Sequence, residues 1–243
     1  FFKYGARTLI FTSLEFDHAD IYADLAAIRD QFAKLIEGLP ADGLLIACSD
    51  DENVRGLLSL APCRVLRYGF GPEADCRLSG WRAEGEQAHF TLRQPAGTRE
   101  WQSPMAGRHN ALNAAAVIAL LSEWGQSADA IQSALSGFLG VKRRQEVRGE
   151  AGGVLVLDDF AHHPTAVALT IEAIRARYPG RRLWAVFEPR SFTARSARFQ
   201  QAFQRAFAGA DRVLFAAPFV SDYSAGVPLL DTTALAEGLS AQG

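Results

Sequence analysis

The chain has 243 residues, 49% of them hydrophobic and 21% charged, with a formal net charge of −2. That length and balance specify a globular protein of one large or two ordinary domains, and they give neither a basic surface for nucleic acid nor a polybasic face for a membrane. No apolar run approaches the roughly 20 residues that cross a bilayer, and the three cysteines, Cys48, Cys63 and Cys76, lack metal-type pairing, which reads as reduced thiols in the cytoplasm.

Phe1 and Phe2 open the chain without a Met, and a strand-like run over 7–12 follows almost at once. A strand so near the start predicts a piece of a longer protein. Residues 19–37 carry Ile21, Leu25, Ile28, Phe32 and Leu35 at helical spacing, and Gly38-Leu39-Pro40 stops the helix. Apolar runs at 44–47 and 64–68 predict buried strands. Short alternating runs over 76–102, such as His89-Phe90-Thr91-Leu92, predict antiparallel hairpins. Helices are predicted over 109–124 and 127–135. Glycines 149, 152 and 153 then interrupt the pattern and place a domain boundary between 148 and 149. Beyond it, strands at 154–157, 183–187 and 212–216 alternate with helices at 165–178 and 195–208. That rhythm predicts a parallel sheet with helices on its faces, so both units, 1–148 and 149–243, are α/β.

Polar clusters stand at the ends of these apolar runs, where open α/β sheets hold ligands. Glu15, Asp17, His18 and Asp20 follow the first strand. They suit either a helix start capped by Asp17 or a divalent-cation site with His18 as nitrogen ligand. Mg²⁺ prefers oxygen, so a single histidine implies that phosphate supplies other ligands. Gly107-Arg108-His109-Asn110-Ala111-Leu112-Asn113 opens an alanine-rich helix, with Asn110 and Asn113 on one face. Amides that donate and accept fit the edge of an adenine base, and equally a polar helix start. Lys142, Arg143 and Arg144 crowd a loop, as a solvated face or an anion site. Asp158-Asp159-Phe160-Ala161-His162-His163-Pro164-Thr165 follows a wholly apolar strand and is too polar to be buried without partners. Glu188-Pro189-Arg190-Ser191-Phe192-Thr193 ends the next strand.

In this order and spacing the clusters resemble the Mur ligase family. Leu14-Glu15-Phe16-Asp17-His18 is similar to its metal-binding segment, and Gly107, His109, Asn110 and Asn113 to its adenine-side motif. Gly140, Val141, Arg143, Arg144 and Glu146 are similar to the loop closing its central domain, and 158–164 to the start of its Rossmann-like C-terminal domain. The resemblance implies a truncated central ATPase domain followed by a Rossmann-like domain. It also implies ATP and Mg²⁺ as cofactors, a carboxylate activated as an acyl phosphate, and attack on it by an amine. By resemblance, His18 holds the metal and acts with Arg190 in catalysis. His109, Asn110, Asn113, Arg144 and Asp159 hold the nucleotide, and His162, His163, Arg190, Ser191 and Thr193 face the substrate. The wording of 14–20, 158–165 and 188–191 resembles most the murein peptide ligase branch, which joins UDP-N-acetylmuramate to the tripeptide L-Ala-γ-D-Glu-meso-diaminopimelate in peptidoglycan recycling. The alternatives are the L-alanine-adding branch, which typically has Gln-Pro-His-Arg where this chain has Glu188-Pro189-Arg190-Ser191, and a non-catalytic nucleotide-binding module. No Gly-x-x-Gly-Lys-Thr loop occurs in the chain. The resemblance puts it upstream of Phe1, so these 243 residues alone are expected to be inactive. Lys34 adjoins the position where some members carry a modified lysine, and is read instead as a lysine snorkelling from a core helix.

Overall fold

The computed structural model describes residues 2–85, 87–218 and 228–241. They divide into two compact units, one of residues 1–16 and 22–139, the other of 17–21 and 140–243.

The first unit is built on a six-stranded sheet in the order β1 (Thr8–Phe11), β2 (Leu44–Cys48), β3 (Arg64–Gly69), β4 (Cys76–Glu84), β5 (Gln87–Gln94), β6 (Gly97–Ser103). The first four are parallel neighbours and β4–β5–β6 form an antiparallel meander. Strand β2 shows why its sequence is apolar throughout. Leu45 and Ala47 enter a core with Phe11, Leu14, Ile28 and Ile36, whereas Ile46 and Cys48 enter another with Tyr68, Phe90 and Trp101. A strand buried on both faces needs no polar alternation. Helix α1 (Leu25–Glu37) closes the first core. It starts at Leu25 rather than at 19, because Asp24, not Asp17, accepts the amide of Ala27 as its N-cap. Helix α3 (Arg108–Glu123) closes the second with Ala111, Ala114, Ala115, Ala116 and Ala119, all buried. Between them comes the short α2 (Glu52–Arg55).

Helix α4 (Ala128–Ser136) lies along the outer edge of β6. The Gln132 carboxamide accepts the Gln102 N–H and donates to the Gln102 carbonyl, both at 3.0 Å. One side chain therefore fills the hydrogen-bonding place of a neighbouring strand.

The second unit begins at Gly140, earlier than the expected boundary at 148/149. Strand β7 (Glu146–Ala151) explains the shift, since it pairs antiparallel with β8 (Val154–Asp158). The turn between them is Gly152-Gly153, with φ of 56° and 78°, the left-handed pair that a two-residue hairpin of this hand demands. Residues 17–21, expected in the first unit, group with the second. Helix α5 (Pro164–Arg177) leads to β9 (Trp184–Phe187), and α6 (Gln200–Phe207) leads to β10 (Arg212–Phe215), parallel to β9. Phe187 is the hub of their packing, with its ring 5.2 Å from those of both Phe203 and Phe207. Helix α7 (Thr232–Ser240) is capped by Asp231.

A single parallel sheet through β8, β9 and β10 was expected. Among the described residues the unit instead has two two-stranded sheets, β7–β8 and β9–β10. A cavity of about 780 Å³ adjoins both β8 and β9, with Leu155 and Leu157 of the first and Ala185 and Phe187 of the second in its wall.

Candidate functional site

The predicted residues fall into one group in the first unit and a larger one in the second.

In the first unit, Gly107 precedes α3 with φ 102°, a left-handed turn that brings the chain into the helix. His109 and Asn110 are half-buried and Asn113 is exposed. The Asn110 amide donates to the Ala106 carbonyl at 2.7 Å, and the Asn113 amide lies 3.4 Å from the Asn110 carboxamide oxygen. The two amides therefore share a face, as their spacing required, and Asn110 is anchored to main chain. Beside them the Arg108 guanidinium sits 3.6 Å from the centre of the Phe70 ring. Phe70 is fixed in turn by Asp50, whose carboxylate accepts the amides of Phe70 and Gly71 at 2.8 and 2.9 Å.

The same unit anchors the approach to the Asp-His segment. Asp51 caps α2 through Val54 at 2.9 Å and with its other oxygen accepts the Leu14 amide at 3.1 Å. Asn53 donates to the Leu14 carbonyl at 2.8 Å. Both main-chain groups of Leu14 are thus held by side chains from α2 and its cap.

In the second unit, Asp17 accepts the amide of His18 at 2.7 Å and the hydroxyl of Thr193. Burial opposes ionisation of this carboxyl. The Thr193 hydroxyl, the His18 amide and the charges of His18 and His163 outweigh it and hold the group below the ordinary carboxylate range. His18 is exposed and takes φ 52°, an uncommon setting for a residue with a Cβ. Thr193, expected to face substrate, is buried with its hydroxyl turned to Asp17. Ser191 accepts the Ala194 amide at 3.1 Å and so shapes its own turn, whereas Arg190 is exposed.

The remaining residues cluster at the end of β8. Phe160 serves as a platform, with the guanidinium carbons of Arg143 and Arg144 4.7 and 5.7 Å from its ring centre. Stacking of this kind supports a guanidinium while leaving its N–H groups for an anion. His162 Nδ1 is 2.9 Å from the Phe160 carbonyl. His163 caps α5 by accepting the Thr165 amide at 3.4 Å, and its ring meets Phe199 edge-on at 5.4 Å. Asp159 accepts the amides of Gln145 and Ala161 at 2.8 and 2.7 Å.

Among the described residues no three His, Cys, Asp or Glu side chains gather as a metal cage. Sequence reasoning missed Asp50, Asp51, Asn53 and Phe160 as supports. The available signal was the Asp-Asp pair that follows an apolar strand twice, at Asp50-Asp51 after β2 and at Asp158-Asp159 across the end of β8.

Residues 6–121 match the Mur ligase middle domain and residues 143–239 match the Mur ligase, glutamate ligase domain. A curated UDP-N-acetylmuramate–L-alanine ligase of Desulforapulum autotrophicum is 33% identical over 100% of this chain and 53% of its own length. A solved murein peptide ligase from Psychrobacter arcticus is 32% identical, with a TM-score of 0.60 over 87% of this chain and 44% of its own. The solved UDP-N-acetylmuramate-alanine ligase of Thermotoga maritima has a TM-score of 0.77 at 22% identity, over 100% of this chain and 50% of its own, and shares the fold. The chain spans about half the length of the curated relative. With both domains matched in order, the chain belongs to the Mur ligase family of ATP-dependent amide-bond ligases.

Proposed function

We propose that the chain supplies the adenine, metal and amine side of an ATP-dependent ligase that joins UDP-N-acetylmuramate to L-alanine. The observation that carries this reading is the 33% identity along the whole chain to a curated relative of that name. In the proposed reaction the muramate carboxylate takes the γ-phosphoryl of ATP, releasing ADP. The amine then attacks the acyl carbon, phosphate leaves, and the nitrogen loses a proton.

Each group has a part that its surroundings support. Asn110, anchored at Ala106, and Asn113 offer amides to adenine, with His109 alongside. Arg144, backed by Phe160, presents a planar fork to ribose or phosphate oxygens. Asp159 stands behind that loop on the nucleotide side. His18 would hold Mg²⁺, which when bound supplies positive charge beside the transferring phosphoryl group. Asp17, fixed by Thr193, orients His18. Arg190 and Ser191, with His162 and His163 near the same strand ends, would receive the carboxylate of the incoming amine.

A second reading replaces L-alanine with the tripeptide L-Ala-γ-D-Glu-meso-diaminopimelate. It is favoured by Glu188-Pro189-Arg190-Ser191 in place of Gln-Pro-His-Arg and by the 32% identity to the murein peptide ligase. The sequence wording alone put this reading first; the curated relative supports the L-alanine reading better. The test is to give the full-length protein ATP and UDP-N-acetylmuramate with either amine and to measure phosphate release. Turnover with L-alanine alone is the expected result. Turnover only with the tripeptide would replace the first reading by the second, and none with either would reject both.

A further inference from the structure

The loop 140–146 follows a path that residues with a Cβ seldom take. Its φ angles are positive at Gly140 (82°), Arg143 (58°) and Gln145 (50°). Glycine adopts this region freely, but Arg143 and Gln145 stay there only if the surroundings over-determine them. Four hydrogen bonds do so. Glu146 accepts the Arg143 amide at 2.9 Å. The Arg143 carbonyl accepts the Phe160 amide at 2.8 Å. Asp159 accepts the Gln145 amide at 2.8 Å through one oxygen and the Ala161 amide at 2.7 Å through the other. Arg144 is the residue between the two strained positions, so its Cα is pinned from both sides while its side chain remains exposed.

Both carboxylate oxygens of Asp159 are thus engaged with main chain, one on each side of the Phe160 platform. We propose that Asp159 is a positioning residue, which holds the 140–146 loop in its strained path and so fixes where Arg144 is presented. This rests on the reading of Arg144 as a nucleotide contact. It gives Asp159 a part beside the nucleotide contact that the sequence resemblance implies.

Two measurements test it. In the chain without nucleotide, Asp159→Asn keeps one acceptor and loses the other. Hydrogen exchange at one of the two amides, Gln145 or Ala161, is expected to rise about tenfold, the effect of losing roughly one charge-assisted hydrogen bond, with β9 and β10 unaffected. Unchanged exchange at both amides overturns the proposal. Should Asp159→Asn loosen the whole unit, the Asp159→Asn, Gln145→Gly double variant decides, because glycine carries no penalty at positive φ. Recovered protection in β9 and β10 supports the strain argument, and no recovery overturns it. The second measurement is ATP affinity of the full-length protein in a double-mutant cycle. Arg144→Ala is expected to weaken binding about tenfold, and Asp159→Asn to cost at least about threefold less affinity in that background than alone. Full multiplication of the two single effects would show that Asp159 does not act through Arg144 and overturn the proposal. Unchanged affinity in Arg144→Ala would instead reject the nucleotide role of Arg144, and the exchange experiment would still judge the latch.

Discussion

Asp51 holds two things at once, and its removal has a cost that can be worked from the structure. One oxygen caps α2 through Val54 and the other takes the amide of Leu14, a residue only 3% exposed. Losing an aspartate cap costs about 1 kcal/mol. Leaving the Leu14 amide without its acceptor in a part-buried setting adds roughly 1 to 3 kcal/mol. Asp51→Ala is therefore expected to cost about 2 to 4 kcal/mol. At about 4 °C per kcal/mol for a unit of this size, thermal unfolding should come roughly 8 to 16 °C lower. Asp51→Ser separates the two contributions, since a serine hydroxyl still caps Val54 but is too short to reach Leu14, so its cost should fall between wild type and Asp51→Ala. The assay is calorimetry of the three proteins, with hydrogen exchange at Leu14 as the local readout. A shift below about 3 °C for Asp51→Ala, or a serine variant as damaged as the alanine one, would refute the reasoning.

Three further outcomes are expected. In the full-length protein, His18→Ala should reduce Mg²⁺-dependent phosphate release at least about tenfold while leaving UDP-sugar affinity unchanged; an unaltered Mg²⁺ dependence would remove His18 from the metal site. Thr193→Val deletes the hydroxyl that helps hold the Asp17 carboxyl down against its burial, so the Asp17 pKa should rise, as read by carboxyl NMR. A carboxyl whose folded pKa is depressed stabilises the fold above its unfolded value near 3.9 and loses that contribution as pH falls through the folded value. The acid transition of Thr193→Val should accordingly move to higher pH, and an unmoved transition would show that the hydroxyl does not tune Asp17. Burial pushes the Cys76 thiol up to about 11 and raises Cys48 as well, whereas Cys63 is only half-buried and open to reagent. Native protein at pH 8 should therefore show one fast-reacting thiol and denatured protein three. Rapid labelling of Cys76 in the native state would contradict the burial described for it.

Legibility in the sequence followed the physics of each element. Strand β2 and helix α3 were readable because burial on both faces, or along a continuous alanine stripe, leaves an uninterrupted apolar signature. The start of α1 was not, because Asp17 and Asp24 are equally good caps by type, and only the left-handed turn at His18 sends the chain past the first of them. The domain boundary was set too late for a similar reason. Glycines 149, 152 and 153 looked like a linker but are the bulge and turn of the β7–β8 hairpin. At the candidate site the structure shows partners within the protein for side chains that the sequence presents only as polar groups at strand ends. Thr193 and Asp159 are polar residues at strand ends, which is where ligands bind, yet their nearest partners are Asp17 and the amides of Gln145 and Ala161. Strand-end loops need their own main chain satisfied before they can present anything, and which acid does that and which faces a ligand is a matter of geometry alone.

The carboxamide of Gln132 gives the first unit's sheet a direction. By occupying both outward main-chain groups of Gln102 it acts as a terminator at β6, so a foreign strand would have to displace a side chain before it could add there. Among the described residues β1 ends the sheet on the other side, with no strand paired beyond it. A strand that joined at β1 instead would lie beside the segment that leads to His18.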